Sequence, residues 1–135
     1  MILSAVTLLV PDYDDGIRFF CALGFRLTED VDQGTKRWVT VEPPDGGCRL
    51  VLAVGAQNVL GNQAGGNPAG GRVWLFLRSD DFARDAGLIA AAGGVFQEVP
   101  RDEPYGRVAV WRDPWGNLWD LIGPKVEDHV TGAEI

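Results

Sequence analysis

Histidine is nearly absent from this chain of 135 residues: the only one is His129, six residues from the C-terminus. A metal site built from several histidines of one chain is therefore excluded. Cysteine is scarce as well. Cys21 and Cys48 form no CxxC pair and no disulfide framework, and they read as small buried apolar residues of a reducing compartment. Long apolar runs are missing too. The longest, Met1 to Val10, is broken by Ser4 and Thr7 and falls short of the roughly 20 residues of a membrane span. It has no basic flank and no small-residue cleavage site, so no signal peptide is read and the cytosol is the expected compartment. Basic residues number 12 against 19 acidic ones, a formal charge of −7. General nucleic-acid binding, which needs a basic footprint, is not expected.

What is present is a globular composition, 46% apolar and 23% charged, and five tryptophans. Ala5 to Val10 reads as a strand. Asp12 offers an N-cap to a helix whose apolar face is Ile17, Phe19, Phe20 and Leu23 and which stops at Gly24. Extended stretches follow over Phe25 to Thr28 and Lys36 to Glu42. The turn Pro43-Pro-Asp-Gly-Gly47 then leads to a strand from Arg49 to Val54. This βαβββ order restarts at Gly71. Val73 to Leu77 is a strand, and Asp80-Asp81 opens a helix that ends at Gly93-Gly94. Arg107 to Trp111, the turn Asp113-Pro-Trp-Gly-Asn117 and Leu118 to Ile122 complete it. Sliding the chain by 69 positions aligns the halves without a gap. Leu8 meets Leu77, Asp12 meets Asp81, Gly24 meets Gly93, Glu29 meets Glu98, Val39 meets Val108, Val41 meets Val110 and Leu52 meets Leu121. A single long period of this kind indicates a pseudo-symmetric pair rather than a solenoid. The expected organisation is one domain over 1–135: a module at 1–55, a glycine-rich segment at 56–71, a module at 72–124 and a polar tail at 125–135. The glycine-rich segment is either a plain linker or a lid over a cleft.

The stretches Val6-Thr-Leu-Leu-Val-Pro-Asp-Tyr13, Phe19-Phe-Cys-Ala-Leu-Gly-Phe25 and Arg112-Asp-Pro-Trp-Gly-Asn-Leu-Trp-Asp-Leu-Ile122, together with the duplication, resemble the vicinal oxygen chelate superfamily. That superfamily includes glyoxalase I, extradiol dioxygenases and bleomycin-resistance proteins. The resemblance implies an α+β fold in which two tandem βαβββ modules form a curved, partly open sheet around a cleft. It also implies a homodimer. In the metal-dependent members four strand residues hold a divalent ion; the matching positions here read Ala5, Val51, Trp74 and Asp120. Only Asp120 offers a donor, so no cofactor and no divalent metal are expected.

Strand alternation gives a separate reading of which side chains face that cleft. If Val51 and Asp120 point inward, so do Arg49, Ala53, Leu118 and Ile122, whereas Leu52, Trp119 and Leu121 pack under the helices. Arg72, Trp74, Phe76 and Arg78 share one face. Val39 and Val41 meet the helix, which leaves Trp38 and Thr40 inward. The same logic on the repeat puts Arg107, Ala109 and Trp111 inward. The expected ligand-binding set is then Trp38, Arg49, Trp74, Tyr105 and Trp111. The expected function is binding of a small aromatic or cationic molecule, with sequestration of a toxic compound as the concrete version. Alternatively the tryptophans merely fill space, and Tyr105 merely packs on its turn. Asp120 would serve as a base or an anchor if desolvated, or as a structural group if bridged to Arg49 or Arg107. The enzymatic alternative, a glyoxalase-like lyase or isomerase or a dioxygenase, would use Asp120 as base and Arg107 as stabiliser. No nucleophile constellation is present, and the acidic pairs at the helix starts read as caps.

Overall fold

In a computed structural model of the chain, residues 1–55 and 69–125 are described. His129, most of the tail and most of the glycine-rich segment lie outside them. The chain divides into two compact units, Met1–Gly65 and Gly66–Ile135.

In the first unit β1 (Ala5–Leu9) leads to α1 (Tyr13–Ala22), β2 (Arg26–Asp32), β3 (Arg37–Glu42) and β4 (Arg49–Ala53). The open sheet has the order β1-β4-β3-β2, with β1 parallel to β4 and the remaining pairs antiparallel. The helix starts where the sequence supplies a cap: Asp12 accepts the Asp15 N–H at 3.0 Å. It ends at Leu23, after which Gly24 takes φ +94°. Gly16, Phe19, Phe20 and Leu23 form its inward stripe against Val10, Val39, Val41, Leu50 and Leu52. Cys21 falls off that stripe and is exposed, and Cys48 is half-buried, contrary to the expectation that both are core residues.

The second unit runs β5 (Leu75–Arg78), α2 (Phe82–Ala92), β6 (Val95–Phe96), β7 (Arg101–Glu103), β8 (Gly106–Arg112) and β9 (Leu118–Gly123). Its sheet is also open, with the order β5-β9-β8-β6, and β7 pairs separately with β8. Asp81 caps α2 by accepting the Arg84 N–H at 3.1 Å, and Gly93 closes it at φ +114°. The α+β fold of two βαβββ-like units is thus present, with one strand of the second repeat split into β6 and β7. Pro100, in the break, has no N–H to give to a ladder.

The turn into β9 is fixed by Asp113, which is 3% exposed. Its Oδ1 accepts the N–H groups of Trp115 and Asn117, both at 2.9 Å. Its Oδ2 accepts Asn117 Nδ2 at 2.9 Å and the buried Trp119 Nε1 at 3.0 Å. One carboxylate therefore satisfies four donors that burial would otherwise leave costly.

The ungapped repeat conceals one displaced strand. Leu52 corresponds to Leu121, 69 positions on, and each pairs with the neighbouring strand through a helix-facing residue: Val39 in one unit, Ala109 in the other. From Val39 to Ala109 is 70 positions, not 69. The loop between β8 and β9 (113–117) is one residue shorter than that between β3 and β4 (43–48). On the other side of the strand, Arg26 pairs with Glu42 and Val95 with Arg112, so that connection is one residue longer in the second unit. The two changes cancel in the chain length but shift β8 by one, and a shift of one turns every side chain over. Trp111 is therefore the counterpart of Val41. It lies fully buried on the helix side, stacked on Trp119, and a Cβ on Gly94 would sit 3.0 Å from its ring.

Candidate functional site

Each sheet buries one face under its helix; the other, here called the open face, carries no helix of its unit, although Thr40, Val108 and Asp120 on it are buried. On the open face of the first unit lie Ala5, Thr7, Trp38, Thr40, Arg49, Val51 and Ala53, as alternation requires. Val51 and Ala5 offer no donor atom. Arg49 pairs with Glu29 at 3.6 Å. Trp38, 41% exposed, donates its indole N–H to Glu29 Oε1 at 3.0 Å, and the buried Thr40 hydroxyl donates to the same oxygen at 3.0 Å. These two hydrogen bonds, the indole's first, hold the Glu29 carboxyl below the usual carboxylate range.

On the open face of the second unit Asp120 lies between Phe76 of β5 and Val110 of β8, its partners in register. Trp74, whose N–H donates to the Leu118 carbonyl at 2.9 Å, precedes Phe76 by two and falls on the same side. Asp120 is 9% exposed, and among the described residues its Oδ1 has no hydrogen-bond partner. Burial pushes its carboxyl above the usual range, an effect Arg101 opposes and Glu98 reinforces. Neither arginine considered from the sequence bridges it. Arg49 serves Glu29, and Arg107 is bidentate to Asp102 at 2.9 and 3.2 Å.

Three face assignments are corrected by the displaced strand. Arg107 pairs with Gly123 and Trp111 with Trp119, so both lie on the side of the sheet opposite to Asp120, together with Ala109. The arginine that does reach Asp120's face is Arg101, which pairs with Val108. It donates to Glu98 at 3.1 Å and to Glu103 at 2.6 Å, and it also hydrogen-bonds Tyr105, which is 67% exposed. Glu98 in turn accepts the Val110 N–H at 2.8 Å, filling the gap left between β6 and β7. Sequence reasoning missed Glu29, Glu98 and Arg101 as members of these faces. One signal was available: Glu29 and Glu98 coincide in the repeat, and unlike Asp12 and Asp81 neither caps a helix.

The four positions at which the metal-dependent proteins carry ligands supply two aliphatic side chains, an indole and one carboxylate. That donor set does not fit a divalent ion, which needs several oxygen or nitrogen donors to replace its water. Among the described residues no three His, Cys, Asp or Glu side chains gather as a metal-binding group. No helix among them is long and apolar enough to cross a membrane.

Residues 2–121 match the model of the Glyoxalase/Bleomycin resistance protein/Dioxygenase superfamily. An uncharacterised protein of Shewanella frigidimarina (strain NCIMB 400) is 43% identical over 120 residues, covering 87% of this chain and 89% of that protein. Among solved structures, UcmS2 superposes with a TM-score of 0.74 at 28% identity, over 90% of this chain and 97% of its own. TnmS3, an antibiotic binding protein from Streptomyces sp. CB03234, does so with 0.68 at 26% identity, over 93% and 97%. A superfamily member from Sphaerobacter thermophilus DSM 20745 gives 0.70 at 25%, over 91% and 97%. With the model match spanning nearly all of the chain, the protein belongs to the glyoxalase/bleomycin resistance protein/dioxygenase superfamily.

Proposed function

We propose that this protein is a metal-independent small-molecule-binding member of its superfamily that sequesters a toxic aromatic or cationic organic compound. The observation that carries the reading is Asp120. A buried carboxylate oxygen without a partner among the described residues, beside the 63% exposed Phe76, suits a ligand that brings a hydrogen-bond donor on an apolar body. Trp74 and Tyr105 accompany Asp120 in the second unit; Trp38 and Arg49 lie on the first unit's own open face and are proposed as ligand-binding residues there. Trp111 and Arg107 drop out of the ligand-binding and catalytic sets because they lie on the helix side. That TnmS3 is an antibiotic binding protein favours a small organic ligand here. The donor set at Ala5, Val51, Trp74 and Asp120 favours binding without a metal. We take the protein to act in the cytosol as a homodimer, which light scattering on the purified protein tests directly.

The reading is tested by a thermal-shift screen of planar and cationic compounds alongside elemental analysis. A native-state ligand must raise the melting temperature by mass action. Hits that lose affinity in Asp120→Asn, from protein holding less than one equivalent of transition metal, support it. One tightly held ion per chain sinks it. The raised pKa of Asp120 also favours a second reading, a lyase or isomerase with Asp120 as general base. Turnover that disappears in Asp120→Asn while the fold persists would select that one.

A further inference from the structure

The open face of the first unit carries a device that sequestration in general does not require. A bulge between Leu27 and Glu29 takes Thr28 out of the ladder and sets Glu29 opposite Thr40. Thr28 Oγ1 and Thr40 Oγ1 are 2.6 Å apart, and Thr40 is 1% exposed, so Glu29 is braced by a buried hydroxyl. The other hydrogen bond to that carboxylate oxygen comes from the half-exposed Trp38. The indole is thereby tied at its only polar point, and what remains accessible is ring. Val31, opposite Trp38 in register and 49% exposed, extends the apolar floor. A carboxylate on the indole N–H also enriches the ring in electron density, which strengthens its attraction for a cation. Arg49 neutralises part of the Glu29 charge, so selection for positive charge rests on the ring more than on the carboxylate.

The described residues of the second unit hold no copy of this device. Glu98 gives its carboxylate to the Val110 N–H and Arg101, and the place of Trp38 is taken, after the one-residue shift, by the fully buried Val108. Retention of the glutamate in both halves is thus joined to two different uses.

We propose that Trp38, held by Glu29, is a preformed stacking platform for planar aromatic rings that carry positive charge, with Glu29 as its positioning residue. The inference rests on the small-molecule reading and names the ligand class and one place where it sits. An indole already fixed loses little freedom on binding, and a planar ligand has little to lose.

The test uses the full chain with proflavine as planar cation, anthracene-2-carboxylate as planar anion and tetraethylammonium as non-planar cation. Proflavine is expected to bind at least about tenfold tighter than the other two, and Trp38→Ala to weaken it about tenfold, in line with the strength of stacking and cation–π contacts. Glu29→Ala should weaken it severalfold, and Glu29→Gln, which keeps an acceptor, should restore part of the loss. A ligand-free readout accompanies this. The indole N–H resonance missing from Trp38→Phe identifies Trp38, and in Glu29→Ala its hydrogen exchange should accelerate about tenfold while the other tryptophans stay unchanged. Exchange that ignores Glu29→Ala, or proflavine affinity that ignores Trp38→Ala, overturns the proposal. If in that case Asp120→Asn weakens proflavine, or other compounds still shift the melting temperature, only this inference falls. If no compound of any class binds, the sequestration reading falls with it.

Discussion

Trp111 and Trp119 stack with ring centroids 5.0 Å apart and planes 16° from parallel, on the helix side of the second sheet. Both are essentially buried, so they are the packing centre of that unit and not a wall for a ligand. Trp111→Ala is expected to cost about 3–5 kcal/mol in urea denaturation, and Trp111→Phe distinctly less. A loss below about 1 kcal/mol for the alanine variant would place Trp111 outside the core.

Asp120 sets the sign of a pH effect. Its carboxyl is pushed up in the folded state, so the folded protein resists its ionisation more than the unfolded chain does. Ionised Asp120 therefore costs stability in full above its folded pKa. The cost fades as pH falls and vanishes below the unfolded value of about 3.9. Asp120→Asn should melt higher than wild type at pH 7.5, with the gap closing toward pH 4. Equal melting temperatures at pH 7.5 would mean that Asp120 is satisfied.

Asp113 makes the opposite case, a buried carboxylate with every bond made. Asp113→Ala strands the Trp119 and Asn117 donors and should cost about 3 kcal/mol. Asp113→Asn, which keeps one carbonyl oxygen, should cost less. Chemical denaturation of both variants decides whether the turn or the carboxylate's charge matters.

Two glycines separate close approach from mere helix breaking. A Cβ on Gly94 would stand 2.5 Å from Ile89 Cγ2, so Gly94→Ala should destabilise by about 1–3 kcal/mol. Gly87, inside α2 with nothing within 4 Å of such a Cβ, should gain about 0.5–1 kcal/mol as alanine. Paired thermal melts test both.

Helix starts and stops were legible in the sequence because capping is local: Asp12, Asp81, Gly24 and Gly93 each act within one turn of chain. The helix-facing valines and leucines of the first unit were legible for a similar reason, since alternation along one strand needs no partner. The side on which Trp111 and Arg107 lie was not, because it depends on hairpin lengths that an ungapped repeat averages away. Cys21 was misread because burial statistics describe a residue type, while the inward stripe of α1 had already been taken by Phe19, Phe20 and Leu23. Arg101 was missed because its face is set by pairing with Val108 after the break at Pro100, and that pairing cannot be read from one strand alone.

The displaced β8 has a practical corollary for anyone exchanging parts between the halves. Transplanting β8 in place of β3 at the apparent offset would turn the strand inside out, offering Val108 and Val110 to α1 and Ala109 and Trp111 to the open side. The exchange works only if both flanking hairpins travel with it. In a duplicated molecule, phase is thus a second axis of divergence: two halves of matching length can present different chemistry because one strand was turned over rather than rewritten.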